Sequence, residues 1–258
     1  MQRRYQLPKG MRYSTLRERK EFYLKEFSLK KAEDWFRDWY KAEQINFAVI
    51  IGRHTHMFPR KYKEDASTTI IIDDYTSFQD LRSQILQFLP ESAYYDRNVY
   101  DKRRRVIGQE LAFDLDPENL TCPIHGSLAD KMKRRQGLAF CELELDMVKD
   151  EAIRLHEELE DLFSDIRAVY SGRGFHIHVF DKDPFTWSYE RRRNLAKRLK
   201  KKGFLIDEWV TTGGMRLIRL PYSLHGMVSR IVLPVEATEL KMFNPVNDPR
   251  CVPKFVSG

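Results

Sequence analysis

The sequence predicts an α+β fold, and three observations carry that expectation. Leu111 to Asp116 and Phe175 to Val179 each alternate apolar and polar side chains, the period of a strand with one face in a core. Asp146 to Phe163 sets Met147, Ile153, Leu155, Leu159 and Leu162 among acids and bases, which is helical in character. Tyr189 to Lys202 reads as a second helix, strongly basic.

From the N-terminus, Thr15 to Lys41 mixes charge with Phe22, Tyr23, Phe27, Trp35, Phe36 and Tyr40 in a pattern compatible with helix. Asn46 to Ile51 and Thr68 to Ile72 are strand candidates, and a helix-like segment from Phe78 to Leu89 separates the latter from Tyr94-Tyr95. The acidic strand and the helix at Asp146 follow, then strands from Ile166 and Phe175, the basic helix, and strands near Ile218 and from Arg230 to Val235. No repeat, low-complexity tract or Pro/Gly-rich linker forces a domain cut, so a single domain over residues 1–258 is expected.

At 258 residues and 42% hydrophobic content, the chain is long enough for one sizeable core or two small modules. Its 45 basic against 38 acidic side chains, a net +7, favour a polyanionic partner such as nucleic acid or an anionic membrane surface. There is no apolar run long enough to span a bilayer, and Met1-Gln2-Arg3-Arg4-Tyr5 begins no stretch of signal-peptide length. The expectation is a soluble, cytoplasmic protein without a membrane partner. Three cysteines at irregular spacing make no disulfide framework.

The acidic strand concentrates the chemistry. Alternate strand residues share a face, so Leu111, Phe113 and Leu115 enter a core while Asp114 and Asp116 point out together. Their Cα atoms would lie roughly 6.6 Å apart, within reach of a pair of divalent ions about 3.5–4 Å apart. The competing reading is a strand end with two solvated acids. Further along, Ser171-Gly172-Arg173-Gly174 offers a hydroxyl, a guanidinium and permissive backbone that can approach a phosphate closely. His176 and His178 share the polar face of the strand that follows.

Cys122-x-x-His125 and Cys141-x-x-Glu144 flank a basic segment holding Lys131, Lys133, Arg134 and Arg135. Ligand pairs two residues apart at each end of a loop can converge on a tetrahedral metal, with sulfur and nitrogen favouring zinc. The fourth position is open among Glu144, Cys251 and water, and buried apolar cysteines with a surface histidine are the alternative. The basic helix, with Arg191, Arg192, Arg193, Lys197, Arg198, Lys200, Lys201 and Lys202, is either a contact for a nucleic-acid backbone, which would be the template under the resemblance given below, or a solvated face.

Three blocks in order, Phe113-Asp114-Leu115-Asp116, Tyr170 to Val179, and Arg216-Leu217-Ile218-Arg219-Leu220-Pro221-Tyr222-Ser223-Leu224-His225-Gly226, resemble the motifs of the archaeo-eukaryotic primase superfamily. The small catalytic subunit of archaeal DNA primase is the nearest likeness, and Phe243-Asn244-Pro245 with Val252-Pro253-Lys254-Phe255 resembles its tail. The resemblance implies a primase-polymerase fold with an RNA-recognition-module-like sheet as catalytic platform. It implies template-directed primer synthesis: Asp114 and Asp116 holding Mg²⁺ or Mn²⁺, and Ser171, Arg173, His176 and His225 binding the triphosphate. It further implies a zinc loop at 119–144, single-stranded DNA and nucleoside triphosphates as substrates, nucleoid association, and a large primase subunit carrying an iron–sulfur domain.

The sequence also departs from that pattern. The family places a third metal-binding Asp where this chain has Gly213; Asp207 is the leading substitute and Glu208 its neighbour. A family Lys is replaced by Met227, with Arg230 able to carry the charge, and the short segment from Asp181 to Glu208 leaves out the helical subdomain of larger members. Two alternatives follow: a repair or plasmid-replication primase-polymerase acting alone, and a catalytically degenerate nucleotide- or nucleic-acid-binding protein.

Overall fold

Capping and apolar periodicity set the helices. In the computed structural model, which describes residues 7–36, 44–51, 70–137 and 139–257, α1 (Leu16–Lys25) opens on a reciprocal capping box between Thr15 and Glu18. After α2 (Leu29–Phe36) come β1 (Phe47–Ile51), β2 (Ile70–Tyr75), α3 (Phe78–Phe88) capped by Ser77, β3 (Ser92–Asp96) and a hairpin of β4 (Asn98–Tyr100) and β5 (Val106–Gln109). The acidic strand is β6 (Leu111–Leu115), followed by α4 (Leu128–Lys133), α5 (Glu142–Glu160), β7 (Ile166–Tyr170) and β8 (Phe175–Val179). Next are α6 (Lys182–Phe185), α7 (Tyr189–Lys201) and α8 (Glu208–Thr211). The chain closes with β9 (Leu217–Arg219), β10 (Leu224–His225), β11 (Arg230–Ile231), β12 (Leu233–Val235) and α9 (Lys254–Ser257). The expected helical residues 37–41 and strand residues 68 and 69 lie outside the described residues.

Where the sequence offers no linker, the structure has two compact units whose segments alternate along the chain. One unit, which carries the acidic strand, is built chiefly from Glu110–Met215 and Pro234–Asp248; the other takes Arg12–Gln109, Arg216–Leu233 and the C-terminal segment. The expected strand from Arg230 to Val235 is two short strands, β11 pairing with β10 and β12 joining the β7 edge of a different sheet.

In the acidic-strand unit the sheet order is β12-β7-β8-β6, with β8 antiparallel to both neighbours. Leu111, Phe113 and Leu115 sit beside Val179, Ile177 and Phe175 in register, all buried, and Phe243 adds its ring 5.4 Å from Tyr170 and 6.2 Å from Phe175. The long helix α5 packs on β7 and β8 through a stripe of Leu145, Val148, Ala152, Leu155 and Leu159. Truncating one of these leucines to Ala would cost about 2–5 kcal/mol. With one face committed to this core, the other face is left for Asp114 and His176.

In the second unit the order is β2-β1-β3-β9, all antiparallel. Phe36, Phe47, Phe78 and Tyr95 form an aromatic cluster, with Phe47 and Phe78 centroids 4.6 Å apart.

Candidate active site and metal-binding loop

Pairing of β6 with β8 sets Asp114 directly opposite His176, and His176 Nε2 lies 3.4 Å from Asp114 Oδ1. Asp116 follows β6 as the first residue of a tight turn over Pro117–Asn119, which it does not cap through its side chain. Both carboxylates are half-buried. A paired acid site at the mouth of an apolar strand is the donor set that hard divalent cations take.

The β7–β8 turn presses against this strand. Ser171 N–H donates to Gly174 O at 2.9 Å, Gly174 N–H donates to Ser171 Oγ at 3.1 Å, and Tyr170 Oη donates to Gly172 O at 2.5 Å. A Cβ at Gly174 would lie 2.0 Å from Leu115 O and 2.6 Å from Asp116 Oδ1, so only glycine permits this approach. Arg173 is buried, ion-paired to Glu118 and set 5.3 Å from the Phe140 ring centroid. Asp114, Asp116, Ser171, Arg173 and His176 are thus brought together by one strand pair and one turn.

His178, on the same sequence face as His176, is sequestered instead. Its Nδ1 lies 2.6 Å from Glu110 Oε1, both side chains are buried, and its ring stacks on Phe180. His225 belongs to the second unit, buried on β10 opposite Arg230. The two arginines of the Arg-Leu-Ile-Arg block serve that unit's sheet: Arg216 Nη1 bonds Asp96 Oδ2 at 2.6 Å and Arg219 Nη1 donates to Ser92 Oγ at 2.6 Å. Arg230, offered above as a substitute charge, is buried and donates to Ser229 O at 3.0 Å.

Asp207, the leading substitute for the third acid, lies against the acidic strand through its N–H, which donates to Asp114 O at 3.0 Å. Its Oδ1 caps α8 by accepting from Trp209 N–H at 2.8 Å. Glu208 turns to Lys200, 3.3 Å away. Gly213 has φ +93°, a left-handed conformation that a side chain rarely adopts.

The template-contact reading of the basic helix is corrected at Arg192. That guanidinium is buried and donates to the carbonyls of Trp187, Glu110 and Pro184, pinning α7 to the start of β6. Arg191 stacks on Trp187 and pairs with Asp183, and Lys200 and Lys202 pair with Glu208 and Glu158. Arg192 is therefore spent inside the unit, while Arg191, Lys200 and Lys202 form ion pairs on its surface.

Cys122, His125, Cys141 and Glu144 converge, each offering an atom within 4.8 Å of the others. Reciprocal backbone bonds between Cys122 and Gly126 close a tight knuckle that presents Cys122 and His125, with Sγ 3.4 Å from Nδ1. Cys141 and Glu144 come from the start of α5, where Cys141 N–H donates to Glu144 Oε2 at 2.8 Å. Glu144 Oε1 accepts from Lys131 Nζ at 2.7 Å, a fully buried pair. Burial pushes the Glu144 carboxyl and the Cys141 thiol up, and burial followed by the charges of Arg134 and Lys131 pushes His125 down. A neutral imidazole, two thiols and a carboxylate with spare lone pairs suit a tetrahedral cation. Cys251 is buried in the second unit and takes no part in this cluster.

The sequence reading missed Glu118 and Lys131. Glu118 stands two residues beyond Asp116, and only the folded turn shows that it holds Arg173.

The acidic strand, the glycine turn and the helix-covered antiparallel sheets are those of a primase-polymerase fold. The polymerase domain of Mycobacterium tuberculosis ligase D, solved with DNA, shares this fold over 93% of this chain and 91% of its own, with a TM-score of 0.53 and 15% identity. An Archaeoglobus fulgidus DNA primase small subunit-like protein is 47% identical over 98% of this chain and 94% of its own length. The chain belongs to the DNA primase small subunit family. It is 30% identical to the Pyrococcus horikoshii DNA primase small subunit over 67% of its length, and spans less than half (45%) of that relative. No family model matches the chain.

Proposed function

We propose that this chain is the catalytic subunit of a DNA primase, a nucleotidyltransferase that joins nucleotides on a single-stranded DNA template. The observation that carries the reading is the Asp114–His176 pair with the Ser171 to Gly174 turn pressed onto Asp116. Mg²⁺ or Mn²⁺ on Asp114 and Asp116, with Asp207 as third ligand, would stabilise charge on the attacking 3′ oxygen and the leaving phosphate oxygen. The Ser171 hydroxyl and the Arg173 guanidinium bind phosphate oxygens of the incoming triphosphate, with Glu118 fixing the direction of the guanidinium. His176 binds a phosphate oxygen from beside Asp114, and His225 is a second phosphate-binding histidine. Zinc held by Cys122, His125, Cys141 and Glu144 ties the loop to the start of α5. A large primase subunit with an iron–sulfur domain is the proposed partner, and a nucleoid-associated primosome in the cytoplasm the proposed setting. Among the described residues no helix is long and apolar enough to cross a membrane.

Primer synthesis by the purified chain on single-stranded DNA, alone and with a large subunit, tests this reading. Metal-dependent incorporation that disappears in Asp114→Asn supports it. Incorporation unaffected by that change, or none under either condition, overturns it.

A further inference from the structure

Trp209 is 59% exposed, yet its indole is held. A Cβ on Gly214 would lie 2.0 Å from Trp209 Nε1 and 2.1 Å from Cδ1, so the ring rests on the bare glycine backbone and any side chain there would displace it. Met215 N–H donates to Trp209 O at 3.1 Å, and Thr212 Oγ1 donates to Glu208 O at 2.8 Å, closing the segment around the ring. The positive φ of Gly213 belongs to the same turn. Scattered apolar side chains on a surface need no explanation. An indole seated against a glycine is different, because part of the ring rests on backbone while much of its surface stays in solvent.

Its position follows from the same bonds. Asp207 caps Trp209 through its side chain and bonds Asp114 O through its N–H, and α8 packs on β6. The helix that carries the ring therefore packs against the acidic strand. Flat aromatic surfaces next to a nucleotidyl-transfer site suit the π-face of a nucleobase, whatever its identity.

We infer that Trp209 is a stacking platform for one base of the single-stranded template, held next to the metal site by Gly214. The inference rests on the primase reading, and its test uses binding without catalysis. Anisotropy of a labelled oligothymidylate and of an abasic oligomer of equal length is measured in low salt, without metal or nucleotide, for the native chain, Trp209→Phe, Trp209→Leu and Trp209→Ala. Leu and Ala should weaken binding of oligothymidylate about 5- to 100-fold and leave the abasic oligomer unchanged, while Phe stays within about threefold. Thermal melts identify which variants are folded, and Leu preserves apolar volume if Ala does not.

Equal losses on both oligomers, or no loss on either in the folded Leu variant, overturn the stacking role and leave the primase reading standing. So does a self-association that Trp209→Leu abolishes at unchanged DNA affinity. Failure of the native chain to bind either oligomer overturns both.

Discussion

Two segments meet the strand that carries Asp114, and they are built on different terms. The β8 side is fixed by backbone: a strand register, a turn closed at both ends by Ser171 and Gly174, and a glycine that no other residue can replace. The α8 side is fixed by a side chain lying on a glycine, with Asp207 doubling as cap and neighbour of Asp114. The first carries the residues that the sequence resemblance expects, and the second holds Gly213 where that resemblance expects an acid. The contrast is between a segment constrained by backbone hydrogen-bond geometry and one arranged around a ring.

The largest test of this contrast is the double change Asp114→Asn with Asp116→Asn. Nucleotide incorporation should fall at least about 100-fold, the scale at which transition-state electrostatics is lost, while the melting temperature stays level or rises as two close acids stop repelling. Unchanged turnover would remove the acidic strand from the chemistry.

Gly174→Ala should come next. Its Cβ would meet Leu115 O, a backbone atom that cannot yield, so the turn must move away from Asp116. A stability loss of about 1–3 kcal/mol with weakened triphosphate binding is expected, readable by denaturant melts and equilibrium dialysis. Native affinity in the Ala variant would show that the close approach is unimportant.

In the loop, the purified protein should hold close to one equivalent of zinc, and Cys141→Ser or chelation should speed amide exchange across 119–144 more than in β6 to β8. Metal-free protein with the same exchange pattern would return Cys122 and Cys141 to a packing role.

Gly213→Asp restores the family's residue but asks an aspartate to hold φ +93°. We expect it to cost roughly 1–2 kcal/mol of stability and to give no gain in turnover, because the carboxylate arrives on strained backbone. Asp207→Asn should reduce activity more. If Gly213→Asp raises turnover and Asp207→Asn changes nothing, the third ligand belongs at position 213.

The smallest effect belongs to the second unit and calibrates the others. The Arg12 guanidinium, with Thr15, holds the Glu18 carboxyl at about 2 against an ordinary 4.5. A depressed acid contributes stability fully above its unfolded value and loses it as pH falls through the folded one. Glu18→Gln should therefore be less stable than the native chain at pH 7 by about 1 kcal/mol or less, and the gap should close between pH 4.5 and 2 in parallel urea melts.

Strand periodicity made β6 and β8 readable to within a residue, and α3, α5 and α7 were foreseen with ends shifted by a few positions at most. The α5 start moved upstream because Cys141 and Glu144 form its first turn, a cap whose residues also belong to the cluster with Cys122 and His125. His178 and Arg192 looked functional by residue type and proved structural, since burial beside Glu110 and beside three carbonyls cannot be read from a charge pattern.

By itself the sequence determined which residues share a strand face, which positions must be glycine-permissive, and which atoms are able to ligate metal or phosphate, because those properties are local and periodic. Only the tertiary structure decided that Glu118 holds Arg173, that Lys131 pairs with Glu144, that Trp209 lies on Gly214, and that the chain divides into two units whose segments alternate along the sequence. Each of those depends on distances between segments far apart in the chain, or on a backbone angle set by its neighbours. Burial makes them matter, since a charge or ring removed from water takes its role from whatever surrounds it.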